Sequence, residues 1–249
     1  MAYGTGDRVV YGTSAQTAEF DVGLRQYMLS VYNYMALGLA ATGAVALLFL
    51  SNDALIGALV QTQGPRVVGM NLLGWVVTLA PIGLVLFLSF RIQHMSAATA
   101  QITFWIYAGV MGASLSTVLY AYTGASVARV FFITASVFGA MSLWGYTTKR
   151  DLSGFGTFLF MGLIGILIAS LVNIFLASSM MHWIISVAGV LIFTGLTAYD
   201  TQKIKEMYEV SDSGEIMSKK AIMGALTLYL DFINLFVLLL QFFGVKRDE

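Results

Sequence analysis

Long apolar runs separated by short polar segments dominate this sequence. Runs such as "YMALGLAATGAVALLFL" and "WIISVAGVLIFTGLTAY" approach the roughly 20 residues that a helix needs to cross about 30 Å of hydrocarbon. None of them alternates apolar and polar residues in the way that is typical of a membrane β-barrel strand. The pattern predicts an all-α polytopic membrane protein.

The polar segments predict where each membrane span lies. They divide the chain into seven stretches near the crossing length, at about 28–50, 70–91, 99–121, 127–147, 154–176, 182–203 and 221–245. The first 27 residues are polar and carry acids as well as arginines, which is unlike a signal peptide. We therefore expect a polar N-terminal arm at 1–27 and a seven-helix transmembrane domain at 28–249.

Composition supports this class and excludes several functions. Hydrophobic residues make up 58% of the chain and charged residues only 10%, against about 25% charged in an ordinary soluble domain. Basic and acidic residues number 13 each, so no basic excess indicates nucleic acid as a partner. The absence of cysteine excludes disulfides, thiolate metal sites and cysteine nucleophiles. We expect no resident cofactor.

The distribution of Lys and Arg predicts the orientation, because cytoplasmic connections collect these residues. A cytoplasmic N-terminus leaves only Arg66 and Arg129 in the outer connections. It places nine basic residues inside, namely Arg8, Arg25, Arg91, Lys149, Arg150, Lys203, Lys205, Lys219 and Lys220. The basic tail at 246–247 is outside if the last span crosses fully and inside if it re-enters. The length of 221–245 favours crossing.

The last apolar segment contains a carboxylate, Asp231, about ten residues inside "TLYLDFINLFVLLLQFF". Polar groups are expensive against lipid, so an acid at this depth indicates the bundle interior or a water-filled cavity. At roughly 100° per residue, the polar residues of this segment share an arc of about 80°. They are Lys220, Thr227, Asp231, Asn234 and Gln241. We expect this helix to be central and its polar stripe to face inward.

A second carboxylate, Asp200 in "LTAYDTQKIKEM", lies at the inner end of span six. It can approach Asp231 in the inner third of the membrane, where Arg91 at the end of span two is the expected counter-charge. Two carboxylates in a low dielectric do not both remain ionised easily, so the pair should titrate as a unit. When ionised, the pair offers oxygen ligands that suit Ca²⁺, in a weak site from which the ion can leave.

Simpler roles remain open for two of these residues. Asp200 can pair with Lys203 one turn later on the helix surface, as residues at this spacing commonly do. Arg91 can extend its charge to the membrane interface while its stem stays in lipid.

The two segments "LTAYDTQKIK" and "LTLYLDFINLFVLLLQFFG" resemble the signature segments of the Bax inhibitor-one family. The resemblance extends in outline over all seven spans and includes "KRDLSGFG" and "VNIFL". It implies a central last helix, a location in the bacterial inner membrane, and a pH-sensitive Ca²⁺ leak in which Asp200 and Asp231 sense pH and Arg91 pairs with them. The chain has Ala80 and Pro81 where related chains can carry a glutamate, so an acidic ion-entry residue is absent there.

Three functional hypotheses follow. The first is a pH-sensitive calcium or cation leak channel, with Ca²⁺, protons and the lipid bilayer as its partners. The second is a regulatory membrane protein that modulates a membrane protease or a cell-death or stress pathway, with the N-terminal arm binding a membrane protein partner. The third is an intramembrane aspartyl protease, which is disfavoured because the Gly-x-Gly-Asp element of that class reads "LYLD" here. We expect a protein that is not an enzyme.

Overall fold

The computed structural model describes the backbone of residues 8–63 and 66–247 and the side chains of residues 20–61 and 68–247. The described chain is almost entirely helical, which confirms the predicted class. Its helices are α1 (Arg8–Leu50), α2 (Asp53–Leu59), α3 (Leu72–Arg91), α4 (Ala97–Leu119), α5 (Gly124–Thr147), α6 (Ser153–Leu176), α7 (Ser179–Glu206) and α8 (Gly214–Phe243). Two short antiparallel strands, β1 (Val60–Gln63) and β2 (Arg66–Met70), lie between α2 and α3.

Seven helices of the described residues are long and apolar enough to cross a membrane, namely all except the short α2. Several begin earlier than the apolar pattern predicts because serine residues cap them. The Ser178 hydroxyl accepts a hydrogen bond from the Met181 N–H at the start of α7, and the Ser213 hydroxyl accepts from the Ile216 N–H at the start of α8. Such caps satisfy N–H groups that a helix start leaves without a partner. The helices therefore extend into segments that hydropathy assigns to connections.

Helix α8 is the centre of the bundle, as predicted. It packs against α1, α4, α5 and α7. Its apolar residues Leu228, Leu235 and Leu240 are fully buried. In contrast, α6 packs chiefly on α7, and α3 packs chiefly on α4. These two outer helices present most of their apolar side chains to the surroundings.

The N-terminal arm is not separated from the first span at residue 27 in the described part of the chain. Helix α1 runs without interruption from Arg8 to Leu50, while residues 1–7 lie outside the described residues. Leu24 and Tyr27 are buried, and the Phe20 ring packs edge-on against Tyr208 at 5.3 Å. The apolar residues at the end of the predicted arm thus belong to the helical core.

Two sets of contacts place the ends of α8 at opposite ends of the bundle. At its C-terminal end, the Thr123 N–H donates to the Val245 carbonyl (2.9 Å) and the Arg247 N–H donates to the Ala121 carbonyl (3.0 Å). At the other end, the Lys219 ammonium donates to the Met95 carbonyl, 3.3 Å away. The tail therefore meets the α4–α5 connection, and the start of α8 meets the α3–α4 connection. The last helix crosses the bundle fully and does not re-enter.

Candidate functional site

The structure brings Asp200 of α7 and Asp231 of α8 together. Their carboxyl groups are close enough for a hydrogen bond between them. Asp231 is buried, and its Oδ2 atom has no hydrogen-bond partner among the described residues. Carboxylates only accept hydrogen bonds, so a bond between two carboxyl groups requires a proton on one of them. A direct bond between these two carboxyl groups would therefore need one proton shared between them.

Helix register sets this meeting of the two acids. Helices α7 and α8 run antiparallel, and the Ser186 hydroxyl of α7 donates to Gln241 Oε1 of α8 at 3.0 Å. Nearer the other end of the same interface, Gly224 leaves room for the Ile204 side chain. Asp200 and Asp231 lie between these two contacts, so the interface fixes their approach.

The acid pair lines a cavity of about 680 Å³ between α6, α7 and α8. The walls are mainly apolar, but four further polar side chains face the same space, namely Thr157, Lys203, Thr227 and Asn234. Helix α6 reaches the cavity at Gly156, where the lack of a side chain admits the Tyr199 ring. Because α6 packs chiefly on α7, the cavity forms where α6 and α8 do not close on each other.

Gln202 ties the connection between α5 and α6 to α7, two residues after Asp200. Its Oε1 accepts a hydrogen bond from the Leu152 N–H, and its amide nitrogen donates to the Arg150 carbonyl, both at 2.8 Å. In the same connection, side-chain and backbone hydrogen bonds from Ser153 hold the pKa of the Asp151 carboxyl below its usual value. Gln202 lies inside the "LTAYDTQKIK" segment, but its role in this connection was not predicted from the sequence.

Arg91 does not lie at the acid pair, contrary to the sequence-based prediction. It is exposed at the end of α3, and no ion pair among the described residues joins it to either acid. The physical reason is packing, since α3 lies against α4 rather than against the helices that carry the acids. Lys203 of α7 lies there instead and acts electrostatically on Asp200. Its ammonium is 5.8 Å from the centroid of the Tyr199 ring.

The predicted polar stripe of the last helix divides into three parts. Thr227 and Asn234 line the acid cavity together with Asp231. Gln241 lies farther along α8 and accepts the hydrogen bond of Ser186. Lys220 lies outside the cavity, where its ammonium binds Asp212 at 2.7 Å. Only the middle of the stripe thus belongs to the candidate site.

The ligands at the cavity suit a hard cation held weakly. Asp200 and Asp231 are its carboxylates, and Thr227 and Asn234 add neutral oxygen atoms that line the same space. Among the described residues, no group of three or more His, Asp or Glu side chains is arranged to hold a metal. Ca²⁺ takes six to eight oxygen ligands in a tight site. The two carboxylates and the two neutral side chains supply fewer oxygen ligands than that.

A buried hydrogen-bond cluster joins α8 to α1 and α4 and was not predicted from the sequence. The Thr42 hydroxyl donates to the Ala108 carbonyl at 2.9 Å and lies 2.6 Å from the Tyr229 hydroxyl. Since a hydroxyl has one proton to donate, Tyr229 is the donor in the second bond. The Tyr107 ring packs edge-on against Tyr229, with centroids 5.6 Å apart. This cluster fixes α8 two residues before Asp231.

Comparisons with known proteins agree with the architecture. The sequence profile of the family described as "Inhibitor of apoptosis-promoting Bax1" matches residues 24–248. The chain is 49% identical to the protein RP147 of Rickettsia prowazekii over 95% of its own length and 96% of that protein. It is 48% identical to the inner membrane protein YbhL of Escherichia coli K12, with 90% and 94% covered. A membrane protein of Streptococcus pyogenes serotype M3 is 38% identical over 96% and 98%. The chain is an integral membrane protein that belongs to the Bax inhibitor-1 family.

Proposed function

We propose that this protein is a pH-sensitive leak channel for Ca²⁺ or a similar cation, with the Asp200–Asp231 pair as its proton sensor. The observation that carries the proposal is the pair itself, two acids of neighbouring helices that line the same cavity of about 680 Å³. Burying acids inside a membrane bundle is costly, and acids kept there usually mark ion or proton paths. A contact that only stabilises the fold does not need two buried acids.

In the proposed mechanism, protonation controls what the pair can hold. One shared proton lets the two carboxyl groups bond to each other, and Lys203 then stays over Tyr199. Loss of that proton leaves two negative charges facing each other in a low dielectric, which favours recruitment of a cation. Lys203, one turn after Asp200 in α7 and lining the same cavity, is the available cation. When drawn to the ionised pair, it blocks the cavity, and acidification releases it.

The test is Ca²⁺ flux into proteoliposomes between pH 5 and 8, comparing the unmodified protein with Asp200→Asn and Asp231→Asn. We expect flux to rise on acidification and either change to flatten the pH profile, because an amide neither ionises nor binds Lys203. Asp53→Asn is the matched control, since Asp53 is an exposed acid in the first turn of α2 and does not line the cavity. The mechanism fails if Asp231→Asn reproduces the unmodified profile at every pH.

The proposed location is a bacterial inner membrane with the N-terminus in the cytoplasm. The relative YbhL is an inner membrane protein of Escherichia coli, and the distribution of Lys and Arg favours this orientation. We propose protons and Ca²⁺ as the small partners and no resident cofactor.

Paired acids are also found in a second class of protein, the intramembrane aspartyl proteases. The two catalytic acids of aspartic proteases share one proton in the same manner. We propose that this protein is not such an enzyme, because the four residues that end at Asp231 read "LYLD", whereas that class has Gly-x-Gly-Asp. Cleavage of a single-span reporter, lost in both Asp→Asn variants, would establish the protease instead.

A regulatory role in a cell-death or stress pathway would be favoured by a different result. If no ion flux occurs at any pH, a membrane protein partner of the N-terminal arm becomes the working hypothesis. Deletion of residues 2–19 is the appropriate variant, because Phe20 and Leu24 already contact the helical core. Loss of partner binding in this variant, with unchanged thermal stability, would support the regulatory role.

A further inference from the structure

A second cleft, apolar and separate from the acid cavity, runs between α1 and α5. Helix α1 lines it with a residue every three or four positions, beginning at Arg25, passing Tyr32 and Leu39 and ending at Leu50. Such spacing is one face of one helix. At 1.5 Å per residue this face is about 38 Å long, slightly more than a hydrocarbon core of about 30 Å. The cleft therefore extends through the whole membrane thickness.

The cleft is open sideways and has two halves that share Leu39. The half that begins at Arg25, which we call the Arg25 half, measures about 550 Å³, and the half that ends near Arg247 about 300 Å³. In the Arg25 half, the floor residues Met28 and Met35 are buried, whereas the rim residue Leu143 is 64% exposed. A cleft with a buried floor and an exposed rim is accessible from the lipid phase.

One cation lines the Arg25 half, and a second lies beside one of its lining residues. Arg25 of α1 lines the mouth across from Tyr146 of α5. The ammonium of Lys205 on α7 donates to the Tyr146 carbonyl at 2.9 Å and lies 5.4 Å from the centroid of its ring. An ammonium has three donors, so Lys205 can bind another acceptor while it keeps this bond. The apolar cleft thus ends in a basic mouth.

We propose that the Arg25 half holds one acyl chain of an anionic phospholipid, whose headgroup phosphate binds Arg25 and Lys205. Basic pockets between transmembrane helices bind anionic headgroups in this way. The distance along α1 from Arg25 to Leu39 is about 21 Å. One leaflet contributes about 15 Å of hydrocarbon, half of the 30 Å core, and the headgroup region adds the remainder.

The dimensions of the cleft favour a lipid chain over a partner helix. A helix about 10 Å across and 21 Å long fills roughly 1,600 Å³. The Arg25 half offers about 550 Å³. A single flexible chain fits inside the cleft without separating α1 from α5, whereas a helix would enter it with one face only.

Native mass spectrometry of the full-length protein, titrated with phosphatidylglycerol or with phosphatidylcholine of the same chain length, tests the proposal. We expect one phosphatidylglycerol to bind at least fivefold more tightly than phosphatidylcholine, and Arg25→Gln to remove most of that preference. Gly139→Leu fills the Arg25 half and should weaken phosphatidylglycerol binding at least tenfold. The matched control is Gly43→Leu in the other half. At both glycines an added side chain enters open space.

Two results would overturn the proposal. One is equal binding of the two lipids to the unmodified protein. The other is loss of binding in Gly43→Leu with unchanged binding in Gly139→Leu, which would place the lipid in the Arg247 half. If Gly139→Leu does not fold, as judged by thermal unfolding in detergent, Ala36→Leu fills the same half from α1. Unchanged phosphatidylglycerol binding in a folded Ala36→Leu variant also contradicts the proposal. None of these outcomes depends on ion flux.

Discussion

Asp200 and Asp231 face the same cavity from two antiparallel helices, and one oxygen of Asp231 is buried without a partner in the part of the chain that the structure describes. A bundle of this size can pack without such a pair. Replacing buried ionisable groups by neutral ones is often neutral or stabilising, whereas leaving one charge unpaired is costly. The pair is therefore better explained by a task that needs a mobile proton than by a contribution to folding.

The two acids should behave as one unit in a double-mutant cycle. Because a shared proton belongs to both carboxyl groups, Asp200→Asn and Asp231→Asn should each flatten the pH dependence of flux, and the double variant should change it no further. Flux measured at several pH values in proteoliposomes checks this. Additive effects of the two changes would indicate that the acids titrate independently.

Substituting Lys203 should change the pH dependence of flux, whereas substituting Arg91 should not. Lys203→Met removes the cation that lines the acid cavity, so flux at pH 8 should rise toward the value at pH 5 and the pH profile should flatten. Arg91→Met is the matched control and should leave the profile unchanged, because Arg91 is exposed at the end of α3. A flattened profile in Arg91→Met together with an unchanged profile in Lys203→Met would support Arg91 as the counter-charge, as the sequence predicts.

Glycine positions on α5 should differ sharply in their tolerance of one methyl group. At Gly145 an added Cβ would collide with the backbone of Ala198 on α7, so Gly145→Ala should destabilise the protein by about 1–3 kcal/mol. At Gly139 the space is open, so Gly139→Ala should stabilise the helix slightly, by up to about 1 kcal/mol. Thermal unfolding in detergent measures both changes. Equal effects would mean that α5 and α7 do not pack at Gly145 as described.

The Thr42–Tyr229 hydrogen bond should show an asymmetric cost. Tyr229→Phe removes a donor and leaves Thr42 bonded to the Ala108 carbonyl, so we expect a loss of only about 1 kcal/mol. Thr42→Val leaves the Tyr229 hydroxyl buried without an acceptor, which should cost about 1–3 kcal/mol. Thermal unfolding of the two variants shows which substitution costs more stability. A larger loss in Tyr229→Phe would contradict the assignment of Tyr229 as the donor.

Cysteine labelling can test the crossing of α8, because the natural chain has no cysteine. Glu209→Cys should react with an impermeant thiol reagent only from the cytoplasmic side, and Lys246→Cys only from the outer side. Thr123→Cys should match Lys246→Cys, since the tail contacts the α4–α5 connection. Labelling of positions 209 and 246 from the same side would show that the last segment re-enters.

The sequence predicts the helices and the acid pair but not the charge beside that pair. Seven spans and the central position of α8 follow from apolar runs and from a polar stripe, both of which are local patterns. The meeting of Asp200 and Asp231 follows from two adjacent antiparallel helices. To predict the position of Arg91 relative to the acid pair, one must know which helices pack on each other. The apolar faces of these helices are too similar to indicate this. Gln202 and Thr42 were missed because a buried hydrogen bond leaves no periodic signal.

Because α6 packs chiefly on one helix, it can move more independently than the other helices that surround α8. Helix α6 walls the acid cavity yet packs chiefly on one neighbour, α7, while the closely packed interior is built around α8. Displacing α6 would disturb chiefly its single interface with α7, so the volume around the acids can vary while the packing around α8 stays intact. In the proposed channel, substitutions on the cavity-facing side of α6 would therefore alter permeation while leaving the interior around α8 unchanged.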